Sequence, residues 1–288
     1  MNNSAKNFFN SKRPGVALNI AHRGARSLAP ENTLLAAGKA LAVGADLWEL
    51  DVQWSRDREL VVVHDDRLER TTDVRLQFPD RAPWSVAAFS SHEIAQLDAG
   101  SWFCQRDPFG QIDAGCVTPA EQAACRGLGV PTLSEALVWT QERRWAVNVE
   151  LKPLAGDDDQ ASALVAQVVE CVERTNTAER VLISSFDLRV LRACKRVAPH
   201  LSRAVLVEKA PPEPLALLTE LGARVYHPHI SAYDQALARA LRNEGITVNV
   251  WGAEREEQEK ALSKDVWVNG IFTDYPQRLD RLLRVDKA

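Results

Sequence analysis

The sequence has little that suits an exported, membrane-spanning or disulfide-stabilised protein. Its five cysteines (104, 116, 125, 171 and 194) are odd in number, irregularly spaced and without a C-x-x-C pair, which argues against a disulfide framework or a thiolate zinc site. No segment approaches the roughly 18 apolar residues of a membrane span, and the N-terminal stretch M-N-N-S-A-K begins no apolar signal. We therefore expect a cytoplasmic protein with reduced thiols and no stable membrane insertion.

A large excess of charge of one sign is also missing. The 35 Lys and Arg residues nearly balance the 39 Asp and Glu residues, so the net charge is -4 at pH 7, and no basic stripe runs through the 288 residues. A nucleic-acid binder concentrates positive charge on one face to neutralise phosphates. The composition therefore argues against a nucleic acid partner, and it leaves the oligomeric state open.

Short β-rich runs alternate with amphipathic helical patterns along the chain. The nine strand-like runs are V-A-L-N-I, L-W-E-L-D-V, L-V-V-V-H, A-V-N-V-E-L, V-L-I-S-S, A-V-L-V, R-V-Y-H, T-V-N-V-W and G-I-F-T-D. Thr132 to Glu135 reads T-L-S-E, a helix capping box, while Gly222 and Gly245 are placed as helix stops. This alternation predicts an α/β fold of parallel strands joined by crossover helices.

A (β/α)8 barrel needs eight strands, so one of the nine runs is extra. The short stretch between the second and third runs, which contains S-R-D-R-E, is too short for a crossover helix, and we expect a hairpin there. A turn centred near Arg56 and Asp57 would place Glu49 opposite His64, within one residue of register. Residues far apart in sequence would thus meet at one end of the barrel.

Residues 66–130 interrupt the alternation of strands and helices. They are rich in Pro, Asp, Arg and aromatic residues, and they contain one short helix signal, S-S-H-E-I-A-Q-L. No linker, internal repeat or low-complexity tract divides the chain. The sequence therefore predicts a single barrel domain over residues 1–288, with an inserted lobe at about 66–130 after the hairpin.

Three acidic side chains lie at the ends of predicted strands. Glu49 and Asp51 share one face of W-E-L-D-V, and Glu150 ends V-N-V-E-L. Barrel active sites lie at the C-terminal ends of strands, where three inward carboxylates repel one another unless a cation lies between them. All-oxygen ligands favour Mg²⁺ or Ca²⁺ over zinc or copper. We expect one hard divalent cation there, the alternative being an ordinary network of ion pairs.

Two histidines and two basic residues accompany these carboxylates. One of His22 and His64 could accept a proton near neutral pH while the other donates one, although each taken singly suits a structural, hydrogen-bonded role. Arg23 offers a bidentate fork for phosphate and Lys152 a second positive charge, although both could simply pair with the carboxylates. The combination predicts that an anion is bound and chemically converted at the barrel mouth.

Five motifs occur in order over nearly the whole chain: H-R-G-A-R-S-L-A-P-E-N-T, E-L-D-V, V-V-H-D, V-E-L-K and F-T-D-Y-P. Together they resemble the glycerophosphodiester phosphodiesterase family. The resemblance implies a TIM barrel, and it places R-T-T and L-D-A-G-S-W-F in the inserted lobe. The roles it implies are metal ligation by Glu49, Asp51 and Glu150, acid–base catalysis by His22 and His64, and phosphate contact by Arg23 and Lys152.

The activity expected from this resemblance is metal-assisted hydrolysis of a glycerophosphodiester to sn-glycerol 3-phosphate and an alcohol. A glycerol hydroxyl next to the phosphate would attack phosphorus and free the alcohol, and water would then open the cyclic phosphate. We assign His22 as the base and His64 as the acid in the first step, with the roles reversed in the second. The metal, Arg23 and Lys152 would neutralise the growing charge.

Two other functions fit the same motifs. A lysophospholipase D would place an acyl chain against aromatic residues of the lobe, but a lobe of this size also needs them for its own core. A catalytically silent barrel would hold a phosphodiester intact, yet no histidine or carboxylate of the motifs is lost. The aromatic residues concerned are Phe78, Trp84, Phe89, Trp102, Phe103 and Phe109.

Three further stretches have two interpretations each. The P-E-N-T run, residues 30–33, matches the family motif, but we expect it to start the first barrel helix with Asn32 near the N-cap. Trp251 could stack against the glycerol moiety or close the barrel. His227 and His229 could add metal ligands, but the intervening proline and the lack of a nearby carboxylate favour a structural strand end.

Overall fold

The structure of the chain, a computed structural model, describes residue 9, residues 17–153 and residues 156–285. Its strands are β1 Leu18–Ala21, β2 Leu47–Trp54, β3 Leu60–Val62, β4 Ala146–Leu151, β5 Val181–Ser185, β6 Ser202–Val207, β7 Val225–Pro228, β8 Thr247–Val250 and β9 Gly270–Thr273. Each of the nine predicted runs therefore forms a strand. Val16, which begins the first run, and the N-terminal stretch used to predict the absence of a signal lie outside the described residues, apart from residue 9.

The helices follow the predicted start and stop signals. They are α1 Leu34–Ala42, α2 Val74–Gln77, α3 Ser91–Ile94, α4 Ser101–Arg106, α5 Pro119–Ala124, α6 Leu133–Glu142, α7 Asp158–Arg174, α8 Leu188–Val197, α9 Pro214–Leu221, α10 Gln235–Asn243, α11 Glu256–Ser263 and α12 Pro276–Val285. Thr132 and Glu135 form the predicted capping box of α6, and Gly222 ends α9 with φ +60°. None of these helices has the length and apolar character that crossing a membrane requires.

The sheet closes on itself. Its strands lie in the order β1-β9-β8-β7-β6-β5-β4-β2-β3, and β1 also pairs with β2. Every pair is parallel except β2–β3, so eight parallel strands form a closed barrel and β3 lies antiparallel beside β2. The predicted TIM barrel is confirmed.

The barrel interior changes from apolar to acidic along its axis. Because side chains alternate with a period of two, the inward positions of β2 that follow Leu47 are Glu49 and Asp51. On β4 the corresponding sequence runs from Ala146 to Glu150. The apolar end of the interior is a cluster of Leu18, Ile20, Leu47, Ala146, Leu182, Ala204, Val225 and Phe272.

The predicted hairpin of β2 and β3 is confirmed, and its pairing register differs by one residue from the expected register. Val52 pairs with Val62, which centres the turn on Asp57. The expected pairing of Glu49 with His64 is therefore off by one position, within the predicted range. Both side chains still line one cavity, because His64 follows the last paired residues at the same end of the barrel.

Between β3 and α6, in the segment predicted as an inserted lobe, the chain forms the short helices α2 to α5, and its apolar side chains pack in two clusters. The helix predicted from S-S-H-E is α3, and Ser90 and Glu93 form its capping box. Phe89 and Phe103 are completely buried. The two lobe clusters are Val61, Val63, Leu68, Val74, Val86, Phe89, Ile94 and Leu97, and Trp102, Phe103, Val117 and Cys125.

We expect Gly24→Ala to lower the free energy of unfolding by about 2–4 kcal/mol, measured by urea denaturation. Gly24 has φ +78°, and an added Cβ would lie 2.6 Å from the carbonyl carbon of Ala36. Gly38→Ala is the control, because Gly38 lies inside α1 and its nearest neighbour is 3.8 Å away. That variant should gain roughly 0.5–1 kcal/mol, and equal effects of the two changes would contradict this account.

Candidate active site

Three carboxylates meet at the C-terminal mouth of the barrel. Strand β2 carries Glu49 and Asp51, and the parallel ladder places Asp51 directly beside Glu150 of β4. One oxygen of each side chain lies within 4.8 Å of the other two. Glu49 and Asp51 are each 1% exposed, and Glu150 is 9% exposed. We call these three residues the carboxylate cluster.

The protein leaves part of the charge of the carboxylate cluster uncompensated. The buried Oε1 of Glu49 and Oδ1 of Asp51 have no hydrogen-bond partner among the described residues. Burial, Asp51 and Glu150 raise the pKa of Glu49 well above its ordinary value. Burial and Asp51 also raise the pKa of Glu150. Convergent, partly unpaired oxygens are what Mg²⁺ or Ca²⁺ requires, so the cluster fits a hard divalent cation.

Arg23 and Lys152 lie beside the carboxylate cluster. The Nζ of Lys152 is 2.8 Å from Glu150 Oε1 and 3.5 Å from Asp51 Oδ1. The Nε of Arg23 is 3.3 Å from Asp51 Oδ2, and its main-chain N–H donates to Glu49 at 2.8 Å. Burial alone would raise the pKa of Asp51, but the neighbouring positive charges, Arg23 first, lower it. Both basic residues are thus ion-pair partners that also line the cavity.

Each histidine of the site is held by an aspartate. His22 Nδ1 lies 2.7 Å from Asp274 Oδ1, and His64 Nδ1 lies 2.7 Å from Asp65 Oδ1. A carboxylate at Nδ1 favours the tautomer with its proton there, which leaves Nε2 of the neutral ring as an acceptor. Burial and Arg23 lower the pKa of His22, although Asp274 opposes this shift. The two rings are 30% and 31% exposed and face the same cavity.

One buried glutamate connects the two histidine–aspartate pairs. Glu31 accepts hydrogen bonds from Arg23 at 2.8 Å, from Arg26 at 2.8 Å and from Arg70 at 2.7 and 2.9 Å. Arg70 also donates to Asp65, and Arg26 lies 3.6 Å from the aspartate of the other pair. Burial would raise the pKa of Glu31, but the three arginines, Arg70 first, lower it well below its usual value. The network ties both pairs to Arg23.

A cavity of about 500 Å³ opens beside the carboxylate cluster. Trp251 closes one side of it, where its Nε1 donates to the carbonyl of His227 at 3.1 Å. The rings of Trp251 and Phe186 meet edge to face, with centroids 5.6 Å apart. The cavity thus joins a charged end to an apolar one. Besides the residues already described, the cavity is lined by Asn148, Pro153, Phe186, Leu206, Trp251, Phe272 and the carboxylate of Glu208.

Comparison with known proteins agrees with this geometry. A sequence model described as "Glycerophosphoryl diester phosphodiesterase family" matches residues 22–278. The chain belongs to the glycerophosphoryl diester phosphodiesterase family. It is similar to the glycerophosphodiester phosphodiesterase of Caldanaerobacter subterraneus subsp. tengcongensis, at 32% identity over 265 residues, which covers 92% of this chain and 97% of that protein.

Solved structures agree with the assignment to the glycerophosphoryl diester phosphodiesterase family. A phosphodiesterase from Oleispira antarctica, in complex with the product sn-glycerol-3-phosphate, has a TM-score of 0.76 and 27% identity, covering 93% of this chain and 97% of that one. A glycerophosphodiester phosphodiesterase from Agrobacterium tumefaciens has a TM-score of 0.68 and 26% identity, covering 92% and 99%. The predicted family is confirmed, and the chain is an enzyme of the phosphodiester hydrolase class.

The P-E-N-T run of the family motif enters the site as well as starting a helix. Thr33, not Asn32, caps α1, because its side chain accepts from the Ala36 N–H. Asn32 has φ +58°, and its amide donates to Asp51 Oδ2 at 2.8 Å while its oxygen accepts from the Asp51 N–H at 3.2 Å. The prediction that this run starts α1 with Asn32 near the N-cap is confirmed, and the left-handed backbone at Asn32 also turns this side chain toward β2. Glu31 likewise belongs to the site.

Sequence reasoning assigned no role to Asp65, Asp274, Arg26 or Arg70. The two aspartates stand in V-V-H-D and F-T-D-Y-P, and a carboxylate next to a strand-end histidine was the available signal for Asp65. The two arginines stand in H-R-G-A-R and in the R-T-T run. That both arginines bind Glu31 is visible only in the three-dimensional structure.

The lobe aromatics weighed as an acyl-chain surface do not line the described cavity. Phe78 packs on Phe89 with ring centroids 5.3 Å apart, and Trp102 packs on Phe103 at 6.1 Å. Phe109 instead packs on Tyr275 at 5.7 Å. The first two contacts agree with the interpretation that the lobe uses its aromatic residues for its own packing, whereas Phe109 packs the lobe against the barrel.

His227 is buried inside the barrel, and His229 lies at its rim. Asn249 Nδ2 is 3.1 Å from His227 Nε2, and the ring of His229 contacts Trp251 with centroids 4.5 Å apart. Burial lowers the pKa of His227 to about 3. Neither histidine joins a metal-binding group of side chains among the described residues, which agrees with a structural strand end.

We expect stability to fall as the pH decreases below about 6.5, partly because of His227. Its folded pKa is about 3, whereas the unfolded imidazole takes up a proton near pH 6.5. The His227 contribution is therefore complete above that pH and is lost at about 1.4 kcal/mol per unit between the two values. His227→Gln should make the pH dependence of urea unfolding shallower. Exposed His200 is the control, and an equal change in His200→Gln would contradict the assignment.

Proposed function

We propose that this chain is a metal-dependent enzyme that hydrolyses glycerophosphodiesters to sn-glycerol 3-phosphate and an alcohol by histidine acid–base catalysis. The observation that carries the proposal is one cavity lined by two carboxylates of the cluster, two basic residues and two histidines, with the third carboxylate and the two partner aspartates in contact with these residues. The product named in the Oleispira antarctica complex supports the choice of substrate.

Glu49, Asp51 and Glu150 are the proposed ligands of one Mg²⁺ or Ca²⁺. When bound, the ion would act as a Lewis acid toward a phosphoryl oxygen. The buried oxygens of Glu49 and Asp51 that accept no hydrogen bond from the described residues support this assignment, because burying a carboxylate oxygen without a hydrogen-bond donor is costly. Asn32 holds the Asp51 carboxylate from behind and so fixes its orientation.

Arg23 and Lys152 are the proposed phosphate contacts. Trp251 is the proposed contact of one of the organic groups that are esterified to this phosphate. Burial would lower the pKa of Lys152, but Asp51 and Glu150 raise it, so the ammonium stays charged. Arg23 is already ordered by Glu31 and Asp51. Binding therefore costs little additional side-chain entropy at these positions.

His22 is the proposed base of the first step, and His64 is the proposed acid. The lowered pKa of His22, caused by burial and Arg23, keeps its ring neutral near pH 7. Asp274 holds the proton on Nδ1, so Nε2 takes the proton of the glycerol hydroxyl that attacks phosphorus. His64, oriented by Asp65, enters this step as the imidazolium with a proton on each ring nitrogen, and it donates the Nε2 proton to the departing alcohol.

In each of the two steps, every bond that forms is matched by a bond that breaks. In the first, the glycerol oxygen forms a bond to phosphorus while the bond from phosphorus to the alcohol oxygen breaks, which gives a cyclic glycerol phosphate. In the second, His64 takes a proton from water as the water oxygen bonds to phosphorus. The ring bond to the attacking glycerol oxygen breaks, and His22 returns the proton to that oxygen. Both histidines end in their starting states.

The barrel and the lobe are proposed to act as one domain over residues 1–288. The proposed location of the protein is the cytoplasm. Arg70 comes from the lobe and binds Glu31 in the site, so the site is incomplete without the lobe. All five cysteines are free, as in a reducing compartment.

EDTA-stripped enzyme is expected to release sn-glycerol 3-phosphate from glycerophosphocholine only after Mg²⁺ or Ca²⁺ is returned. Glu49→Gln keeps the side-chain shape but removes a negative ligand, so kcat/KM should fall by more than about 100-fold. The rise in Tm caused by the metal should be lost in parallel. Glu170→Gln, on an exposed face of α7, should change neither quantity.

Each other outcome of this experiment has a distinct meaning. Metal-independent release would overturn the assignment of the carboxylate cluster. Cleavage of lysophosphatidylcholine but not of glycerophosphocholine would make the chain a lysophospholipase D. Recovery of both compounds intact, with every metal, would indicate a silent binding protein.

Asp274→Asn is expected to lower kcat by roughly 10²–10⁴-fold, because an amide does not hold the proton on Nδ1 of His22. Asp274 raises the pKa of His22, so its loss should also move the acid limb of the kcat/KM profile to lower pH. Asp280→Asn is the control, since Asp280 pairs with Arg284 on α12. An Asp274→Asn enzyme with normal turnover and an unmoved profile would contradict the role of the pair.

A further inference from the structure

We infer that the apolar end of the cavity receives a cationic alcohol arm of the substrate, such as a quaternary ammonium, with Glu208 as its counter-ion. This inference rests on the proposed function, because it names the diesters that the same site prefers. Two features of the cavity carry it: an aromatic wall, and a carboxylate without a partner among the described residues.

The aromatic wall consists of Phe186, Trp251 and Phe272, which follow or belong to β5, β8 and β9. The Phe186 and Trp251 rings meet at 82°, with centroids 5.6 Å apart. Trp251 is held by its hydrogen bond to the His227 carbonyl and by the ring of His229. The wall is therefore rigid before ligand binding. Ring faces attract cations, most of all weakly hydrated quaternary ammonium groups.

Glu208 immediately follows β6, is exposed, and lines the same cavity. Within residues 17–153 and 156–285 its carboxylate makes no hydrogen bond or ion pair. The other carboxylates that line the cavity, Glu49 and Glu150, face Arg23 and Lys152. Glu208 thus supplies a negative charge that no described side chain neutralises.

The barrel topology separates the two kinds of charge. Strands β2 and β4, which carry the carboxylate cluster, are neighbours, whereas β6 and β8 lie across the barrel from β2. The phosphate end of a bound diester is therefore matched by Arg23 and Lys152, and the opposite arm meets Glu208 and Trp251, with Phe186 and Phe272 on the strands between. A cationic arm gains from the ring faces and from the charge of Glu208, whereas a neutral polyol arm gains only hydrogen bonds to the carboxylate, which an amide oxygen would also accept.

The test compares glycerophosphocholine with the neutral-arm diester glycerophosphoglycerol, using enzyme loaded with metal. Glu208→Gln should lower kcat/KM for glycerophosphocholine by about five- to tenfold and for the neutral diester by less than about twofold. Choline chloride should inhibit the wild-type enzyme competitively, and Glu208→Gln should weaken that inhibition. Glu213→Gln, exposed on the same loop but outside the cavity lining, should leave both rates unchanged.

Phe186→Leu keeps the wall apolar but removes a ring, so it should also reduce the preference for the cationic diester. Equal losses on both diesters, or no loss on either, in Glu208→Gln would overturn the inference while leaving the proposed function intact. Lysophosphatidylcholine cleavage that exceeds glycerophosphocholine cleavage and ignores Glu208→Gln would assign the wall to an acyl chain instead. Wild-type enzyme that cleaves no diester would overturn the proposed function and this inference together.

Discussion

The contact of Arg23 with three buried carboxylates is the interaction on which the rest of the site depends. Its main-chain N–H binds Glu49, and its side chain reaches Glu31 and Asp51. Arg23 has φ +52° and Gly24 has φ +78°, so the chain turns sharply at the end of β1 and presents both groups to the cluster. Removing the guanidinium would leave buried negative charge uncompensated, which is among the costliest changes a fold can undergo.

The buried carboxylates of the site differ in how completely their charge is compensated. This difference distinguishes a supporting residue from a proposed metal ligand. Glu31 accepts hydrogen bonds from three arginines, which fix its position and lower its pKa well below the usual value. Glu49 keeps an unpaired oxygen and a raised pKa. A barrel whose strands are packed on both faces can tolerate such unrelieved repulsion at one mouth, since the apolar layers elsewhere supply the stability.

Much of the fold was predictable because its determinants are local. The strand runs, the capping box at Thr132 and the helix stop at Gly222 depend on residues within a few positions of one another. The hairpin register was off by one residue, since turn geometry decides where the chain reverses and the run boundaries do not show it. The contact of Asn32 with Asp51 was not predicted, because the positive φ of Asn32 is not visible in a helix-start pattern.

The sequence by itself determined the period-two alternation that points Glu49, Asp51 and Glu150 to one side of their strands, and the motifs that identify the family. Only the tertiary structure decided how these groups are compensated. Closure of the barrel brings Asp274 to His22 across 252 positions of sequence, and the lobe brings Arg70 to Glu31 across 39. Such contacts depend on the three-dimensional path of the whole chain, whereas alternation is set by the geometry of a single strand.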